Sequence, residues 1–306
     1  MSTSAKYFQP EVLSRISRLE LRARHVVEGF VSGMHKSPYR GFSVEFANHR
    51  PYVPGDDIRH IDWRAYAKAD RFFIKEYEEE TNMRVHVLLD CSASMAYPEH
   101  PNSDRMNKWD YAATVTASLA HLLVYQQDGV GLALFDRDLV QELPVSTSRS
   151  SLTDMASVIE SVSPRKETDL GAVLAHVAGQ LPRRGMVILV SDLLANVDDL
   201  IRGLQRLAYG KHDVLILHVL DQDEIEFPFA DRTLFEGLED INRRVLTDPQ
   251  SLRREYLEAL EVYLGRIRRA CLDNRIDYAL LNTGEAIDVA LSTVLATRMH
   301  HRRATA

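Results

Sequence analysis

From about residue 83 onward, short apolar runs alternate with longer segments whose apolar positions recur every three or four residues. MRVHVLLD, DGVGLALF, MVILVS and DVLILHVL are apolar along most of their length and have the length of strands. LVQELP and IDYALLN add two shorter strands. KWDYAATVTASLAHLLVYQQ reads as a helix, with Trp109, Ala112, Val115, Leu119, Leu122 and Leu123 on one face. SLTDMASVIESV predicts a helix opened by a capping serine, and DLGAVLAHVAGQL and VDDLIRGLQRLA predict two more. Pro249 opens a helix over 249–273, and AIDVALSTVLATRM closes the chain. Strands alternating with helices predict an α/β fold, a doubly wound, mostly parallel sheet flanked by helices. The continuous apolar character of 186–190 and 214–220 suits strands covered on both faces.

Before residue 83 the pattern differs. Val12, Leu13, Ile16, Leu19, Val26, Val27 and Phe30 predict a helix over 10–32, with Arg15, Arg18, Arg22 and Arg24 on its solvated face. Residues 35–80 mix aromatics, both signs of charge and turn residues such as VPGDD. FFIKEYEEE alternates partly and reads as a strand that ends charged, with Glu78 to Glu80 in solvent. Tyr52, Trp63, Tyr66, Phe72 and Phe73 need burial, so 1–82 reads as a helix plus a small irregular α/β subdomain, and 83–306 as the main domain. Asp56, Asp57, Arg59, Asp62, Trp63 and Arg64 read either as a second functional surface or, preferably, as a polar network locking this subdomain in place.

Composition narrows the class. With 45% hydrophobic and 26% charged residues among 306, the chain is an ordinary globular protein able to bury a large core. A net charge of −7 argues against general nucleic-acid affinity. Cys91 and Cys271 are the only cysteines, which is no disulfide framework and suits a reducing compartment. The N-terminus lacks the apolar core of a signal peptide, and no apolar run approaches the ~20 residues of a membrane span. A cytoplasmic address is expected. There is no GxGxxG and no GxxxxGK[ST], so no nucleotide site of those kinds is supported.

The candidate chemistry centres on LLDCSASM, residues 88–95. Asp90 ends a strand, where ligands of doubly wound sheets sit. Ser92 and Ser94 follow at alternate positions, so an extended loop aims both at the point Asp90 faces and turns Cys91 elsewhere. Asp192 ends the strand MVILVS in the same way, and Thr168 lies just before the helix DLGAVLAHV. Two carboxylates and three hydroxyls suit a hard cation such as Mg²⁺, with Mn²⁺ and Ca²⁺ as alternatives. Nothing in the spacing of His and Cys suits zinc.

This order, D-x-S-x-S, then a Thr about 75 residues on and an Asp about 24 beyond that, resembles the metal-ion-dependent adhesion site of von Willebrand factor A domains. The matching positions are Asp90, Ser92, Ser94, Thr168 and Asp192. The run from Arg50 to Trp63, R-x-Y-x-P-G-D-D through R-x-I-D-W, is similar to the hallmark of bacterial domain-of-unknown-function family 58. The resemblance covers about residue 30 to the end. It implies a von Willebrand A-like fold and a partner protein whose carboxylate completes the metal shell. It also implies work beside a MoxR-type AAA+ ATPase in assembling or activating other proteins. Many relatives carry N-terminal membrane helices; none is evident here, so membrane attachment is not carried over.

Enzyme readings compete with this. Cys91 as nucleophile needs a nearby base, and no Cys–His arrangement is evident. Ser92 lacks the G-x-S-x-G elbow, and a haloacid-dehalogenase-type phosphatase needs Asp where Ser92 stands. A metal-dependent hydrolase remains the rival, with Asp136, Asp138 or Asp169 as general base. The preferred reading is a non-enzymatic, Mg²⁺-dependent interaction module. The apolar face of the Arg-rich helix (Leu252, Tyr256, Leu260, Tyr263, Ile267) is expected to pack into the core.

Overall fold

A computed structural model of the protein describes residues 83–98, 105–181, 185–238 and 244–305, with Leu19, Ala23, 49–52, Tyr66 and 71–75 before them. The chain divides into two compact units, Gly33–Asn82 and Met1–Ser32 together with Met83–Ala306. The first 32 residues therefore group with the main domain, not with the subdomain that follows them. Packing is the reason: Leu19 and Ala23 lie four positions apart, are both helical and are both buried. Leu19 belongs to the same apolar core as Val85 and Tyr111.

In the smaller unit, β1 (His49–Pro51) pairs antiparallel with β2 (Phe73–Lys75). Tyr66 stacks on Phe72 at 4.4 Å, and Tyr52 meets Phe72 edge-on at 6.2 Å. Phe72 nevertheless stays exposed, so these aromatics cover one another without all being buried as expected. The polar run from Asp56 to Arg64, the charged end of FFIKEYEEE and most of the helix expected over 10–32 lie outside the described residues.

The larger unit follows the expected alternation. Its elements are β3 (Arg84–Asp90), α1 (Lys108–Tyr125), β4 (Gly129–Phe135), β5 (Leu139–Ser146), α2 (Ser150–Ser161), α3 (Leu170–Gln180), β6 (Met186–Ser191), α4 (Val197–Tyr209), β7 (Asp213–Leu220), α5 (Gln222–Glu226), β8 (Thr233–Glu236), β9 (Arg244–Thr247), α6 (Pro249–Asp273), β10 (Asp277–Asn282) and α7 (Ile287–Thr305). The short α5 and the β8–β9 hairpin are additions to the expected pattern. Both are too short to show a period, so neither stands out from loop. The capping serine expected for α2 is absent from that role, because Ser151 lies inside the helix. The N-cap is Arg149, which makes no side-chain cap bond, while the Ser148 hydroxyl before it accepts from the Ser150 N–H at 3.3 Å.

The main sheet runs β10-β7-β6-β3-β4-β5. β10, β7, β6, β3 and β4 are mutually parallel, and β5 closes one edge antiparallel to β4. This is the expected α/β arrangement, a mostly parallel sheet flanked by helices. Successive side chains on each strand point to opposite faces. Val85, Val87 and Leu89 enter the core shared with α1, α2 and α7, while Leu88 enters the core shared with α3, α4 and α6. Helix α6 joins that core through its second half, at Ile267 and Cys271, with Tyr263 packed against them. Leu252, expected on its buried face, is exposed. Among the described residues no helix is long and apolar enough to cross a membrane.

Two glycines let α3 and α4 approach closely. A Cβ on Gly203 would meet Leu174 Cβ at 2.8 Å, and one on Gly171 would meet Asp199 Cβ at 2.9 Å. Gly203→Val must push the helices apart, which should cost about 1–3 kcal/mol in urea denaturation. An unchanged midpoint would mean that the two helices separate freely.

Candidate metal centre

After β3 the chain builds β4 and β5 on one side and then returns to place β6 on the other. The strand order reverses there, and the crevice lies beyond the carboxyl ends of β3 and β6. Asp90 is the last residue of β3. Leu89 and Val190 are register partners, so Asp90 and Ser191 follow side by side, and Asp192 comes next. Alternation sends Leu89 and Val190 into one core, so Asp90 and Ser191 turn to the opposite side at the sheet's end, with Asp192 just beyond the end of β6. Asp90, Ser92 and Asp192 have no solvent exposure, and Ser94 is also buried.

Hydrogen bonds link Asp90, Ser92 and Ser94. One Asp90 oxygen accepts from the Ser92 N–H at 2.9 Å, and the other accepts from the Ser191 hydroxyl at 2.6 Å. The Ser92 and Ser94 hydroxyls are 3.1 Å apart, and Ser94 lies near enough to Asp192 to help draw that carboxyl downward. Thr168 arrives on a separate loop. Two backbone bonds, Ala93 N–H to the Lys166 carbonyl at 2.8 Å and Arg165 N–H to the Cys91 carbonyl at 3.1 Å, fasten that loop to the D-x-S-x-S turn. Lys166 adopts a left-handed φ of 70° in making this connection. The Thr168 hydroxyl is buried and has no hydrogen-bond partner. A buried hydroxyl left unpaired costs about 1–3 kcal/mol, so its persistence points to an absent partner.

The electrostatics point the same way. Burial and the nearby Asp192 push Asp90 up to about 7, against the downward pull of Ser191 and Ser92. Burial also pushes Asp192 upward, but the Lys108 ammonium outweighs it and holds that carboxyl below its ordinary range. Lys108 Nζ donates to Asp192 Oδ2 and to Glu224 Oε1, both at 2.8 Å. Behind Asp192, His218 is 2.8 Å from its backbone carbonyl and 2.8 Å from the Tyr278 hydroxyl. Burial pushes this imidazole down to about 4.

The rival assignments find no support in these contacts. Cys91 is buried with its thiol 3.1 Å from the Phe135 carbonyl, and burial followed by Asp90 and Asp136 pushes it up to about 12. A thiol so held is a core filler. Asp169 caps α3 by accepting from the Ala172 N–H at 3.1 Å. Asp136 accepts from the Asp138 N–H at 3.1 Å and faces Lys166 at 3.5 Å.

Among the described residues, no group of three or more His, Cys, Asp or Glu side chains is placed to hold a metal ion. The candidate set does not need one, since three of its five donors are hydroxyls. Its all-oxygen chemistry, two adjacent buried carboxylates and the orphaned Thr168 hydroxyl fit a small hard dication. Lys108, Ser191, His218 and Glu224 are the residues of this site that sequence reasoning missed. Signals existed for three of them. Lys108 opens a helix, the end where the helix dipole disfavours a cation. Ser191 and His218 interrupt otherwise apolar strands.

Thr168→Val removes the unpaired hydroxyl at nearly constant volume. Without added metal its melting temperature should match or exceed that of wild type. Wild type should gain roughly 3 kcal/mol from MgCl₂ at a hundredfold excess over the dissociation constant, and the variant should not. His218 gives a pH signature. Its folded value of about 4 lies below the ordinary 6.5, so between those pH values only the unfolded chain takes up the proton. Its contribution is therefore complete above pH 6.5 and declines as pH falls toward 4, by roughly 2–4 kcal/mol in all. Wild type minus His218→Gln, compared by denaturant titration along that range, should show this decline.

Known proteins bear on this site as follows. The uncharacterized protein Rv1480 of Mycobacterium tuberculosis is 24% identical over 264 residues, spanning 85% of this chain and 81% of that protein. Among solved structures, the conserved hypothetical protein BatB from Bacteroides thetaiotaomicron aligns with a TM-score of 0.45 at 18% identity, covering 70% of this chain and 98% of that one. The VWA domain of SpRpn10 aligns with a TM-score of 0.38 at 11% identity, covering 70% and 94%. Residues 48–262 match the family described as "Protein of unknown function DUF58", and that span takes in Asp90, Ser92, Ser94, Thr168 and Asp192, so the chain belongs to that family.

Proposed function

We propose that this protein is a non-enzymatic interaction module whose Mg²⁺ site captures a carboxylate from a partner protein. The observation that carries the reading is the convergence of two buried carboxylates with serine hydroxyls at the switch point, beside a loop whose Thr168 hydroxyl is buried and unpaired. Asp90 and Asp192 would supply charge, and Ser92, Ser94 and Thr168 neutral oxygen. When bound, Mg²⁺ supplies a coordination position that an acidic side chain of a partner can fill. Neutral hydroxyls in three of five places leave the site short of negative charge, which favours a carboxylate from outside. Lys108 deepens that shortage by engaging one oxygen of Asp192.

The preference for a non-enzymatic role leans on two of the three candidate bases: Asp136 is engaged in a turn and an ion pair, and Asp169 caps α3. The partner class comes from the family resemblance, which implies a MoxR-type AAA+ ATPase and a role as its adaptor or co-chaperone. A cytoplasmic setting suits this role and suits two buried, free cysteines.

Asp90→Ala tests the reading. Wild type should gain melting temperature with MgCl₂ and co-purify with the MoxR-type ATPase in a Mg²⁺-dependent manner. The variant should lose both responses. Equal responses in the two proteins would refute the metal site. Ester or phosphoester turnover that vanishes in the variant would instead establish the hydrolase.

A further inference from the structure

Metal binding by the five oxygen donors does not require Lys108, yet its ammonium is held at the site. Lys108 is the first residue of α1, and its side chain is 1% exposed. Burying an ammonium is costly unless partners surround it. Here they come from three other segments. Asp192 follows β6, Glu224 belongs to α5, and the Tyr97 ring, 5.9 Å from Nζ, follows the D-x-S-x-S turn. Each carboxylate is also held from its far side. Asp192 Oδ1 accepts from the Leu194 N–H at 3.2 Å, and Glu224 Oε2 accepts from the Asp221 N–H at 2.8 Å. The ammonium thus sits between two fixed acids, one of which is a candidate ion ligand.

We infer that Lys108 is an internal counter-cation that shares Asp192 with the divalent ion and keeps that ion exchangeable. The inference rests on the metal reading above. Without the ion, Lys108 compensates Asp192, so the site stays folded with two carboxylates side by side. With the ion present, ammonium and dication draw on the same carboxylate and repel each other across a dry interior, where charges interact strongly. Glu224 moderates this contest by taking part of the ammonium's charge. The site therefore binds more weakly than its acids alone would dictate. Weak, reversible loading is what a switchable adhesion site needs.

The test is calorimetric titration of the full chain with MgCl₂, paired with melting curves. Lys108→Met should melt lower than wild type without metal, bind Mg²⁺ about tenfold more tightly, and gain more melting temperature from it. Glu224→Gln should shift the other way, binding about tenfold more weakly. Should Lys108→Met fail to fold, the Glu224 variant decides, since that side chain is partly exposed and its shape is conserved. If wild type binds Mg²⁺ and these variants bind it equally well, the counter-cation role is refuted and the metal site stands. If wild type takes up no Mg²⁺, both fall together.

Discussion

Two carboxylates lie side by side out of water at the ends of β3 and β6, and the upper end of the sheet is organised around them. Asp90 and Asp192 cannot both be charged there unless cations or donors surround them. Asp90 answers with a backbone N–H and the Ser191 hydroxyl, and is still pushed up to about 7. Asp192 answers with Lys108 and the Leu194 N–H. Several local features serve this one problem. The serine in β6, the lysine that opens α1 and the neutral histidine in β7 all contact these two residues. A dication in the same place would complete what the protein donors leave undone.

The same network reaches the part of the chain that departs from a plain alternation. Glu224 ties α5 to Lys108. Asp221, at the foot of α5, accepts from the Thr283 hydroxyl at 2.5 Å, and Arg105 reaches Asp223 at 2.9 Å. The Glu224 carbonyl accepts from the Tyr256 hydroxyl at 3.0 Å, and the Tyr256 ring packs on Phe227 at 4.6 Å. Phe229 and Phe235 complete this aromatic cluster. The exposed first half of α6 is thereby held by a satellite cluster beside the site, while its second half joins the main core. A change at Lys108 is felt through α5 as well as at Asp192.

Much of this was legible in the chain. Apolar runs of strand length alternating with helical spacing dictate the α/β class, because a strand buried on both faces needs apolar residues at nearly every position. The order of Asp90, Ser92, Ser94, Thr168 and Asp192 nominated the candidate donors, and the structure links Asp90, Ser92 and Ser94 by hydrogen bonds, sets Asp192 near them and fastens the Thr168 loop to the same turn. Their oxygen chemistry follows from residue type alone. So does the exclusion of Cys91, since alternation turns it away, although its depth of burial emerged only on folding.

Tertiary structure decided the rest. Lys108 and Glu224 are 116 positions apart, and nothing local to either announces the other. Their meeting depends on strand order, which puts β7 and α5 beyond β6, and no periodicity encodes strand order. The grouping of Leu19 with the main core is likewise a long-range contact. Local pattern determines which face of an element is buried and which residue types end a strand. Only the folded chain determines which distant charges share one dry space, because that depends on geometry accumulated over the whole sheet.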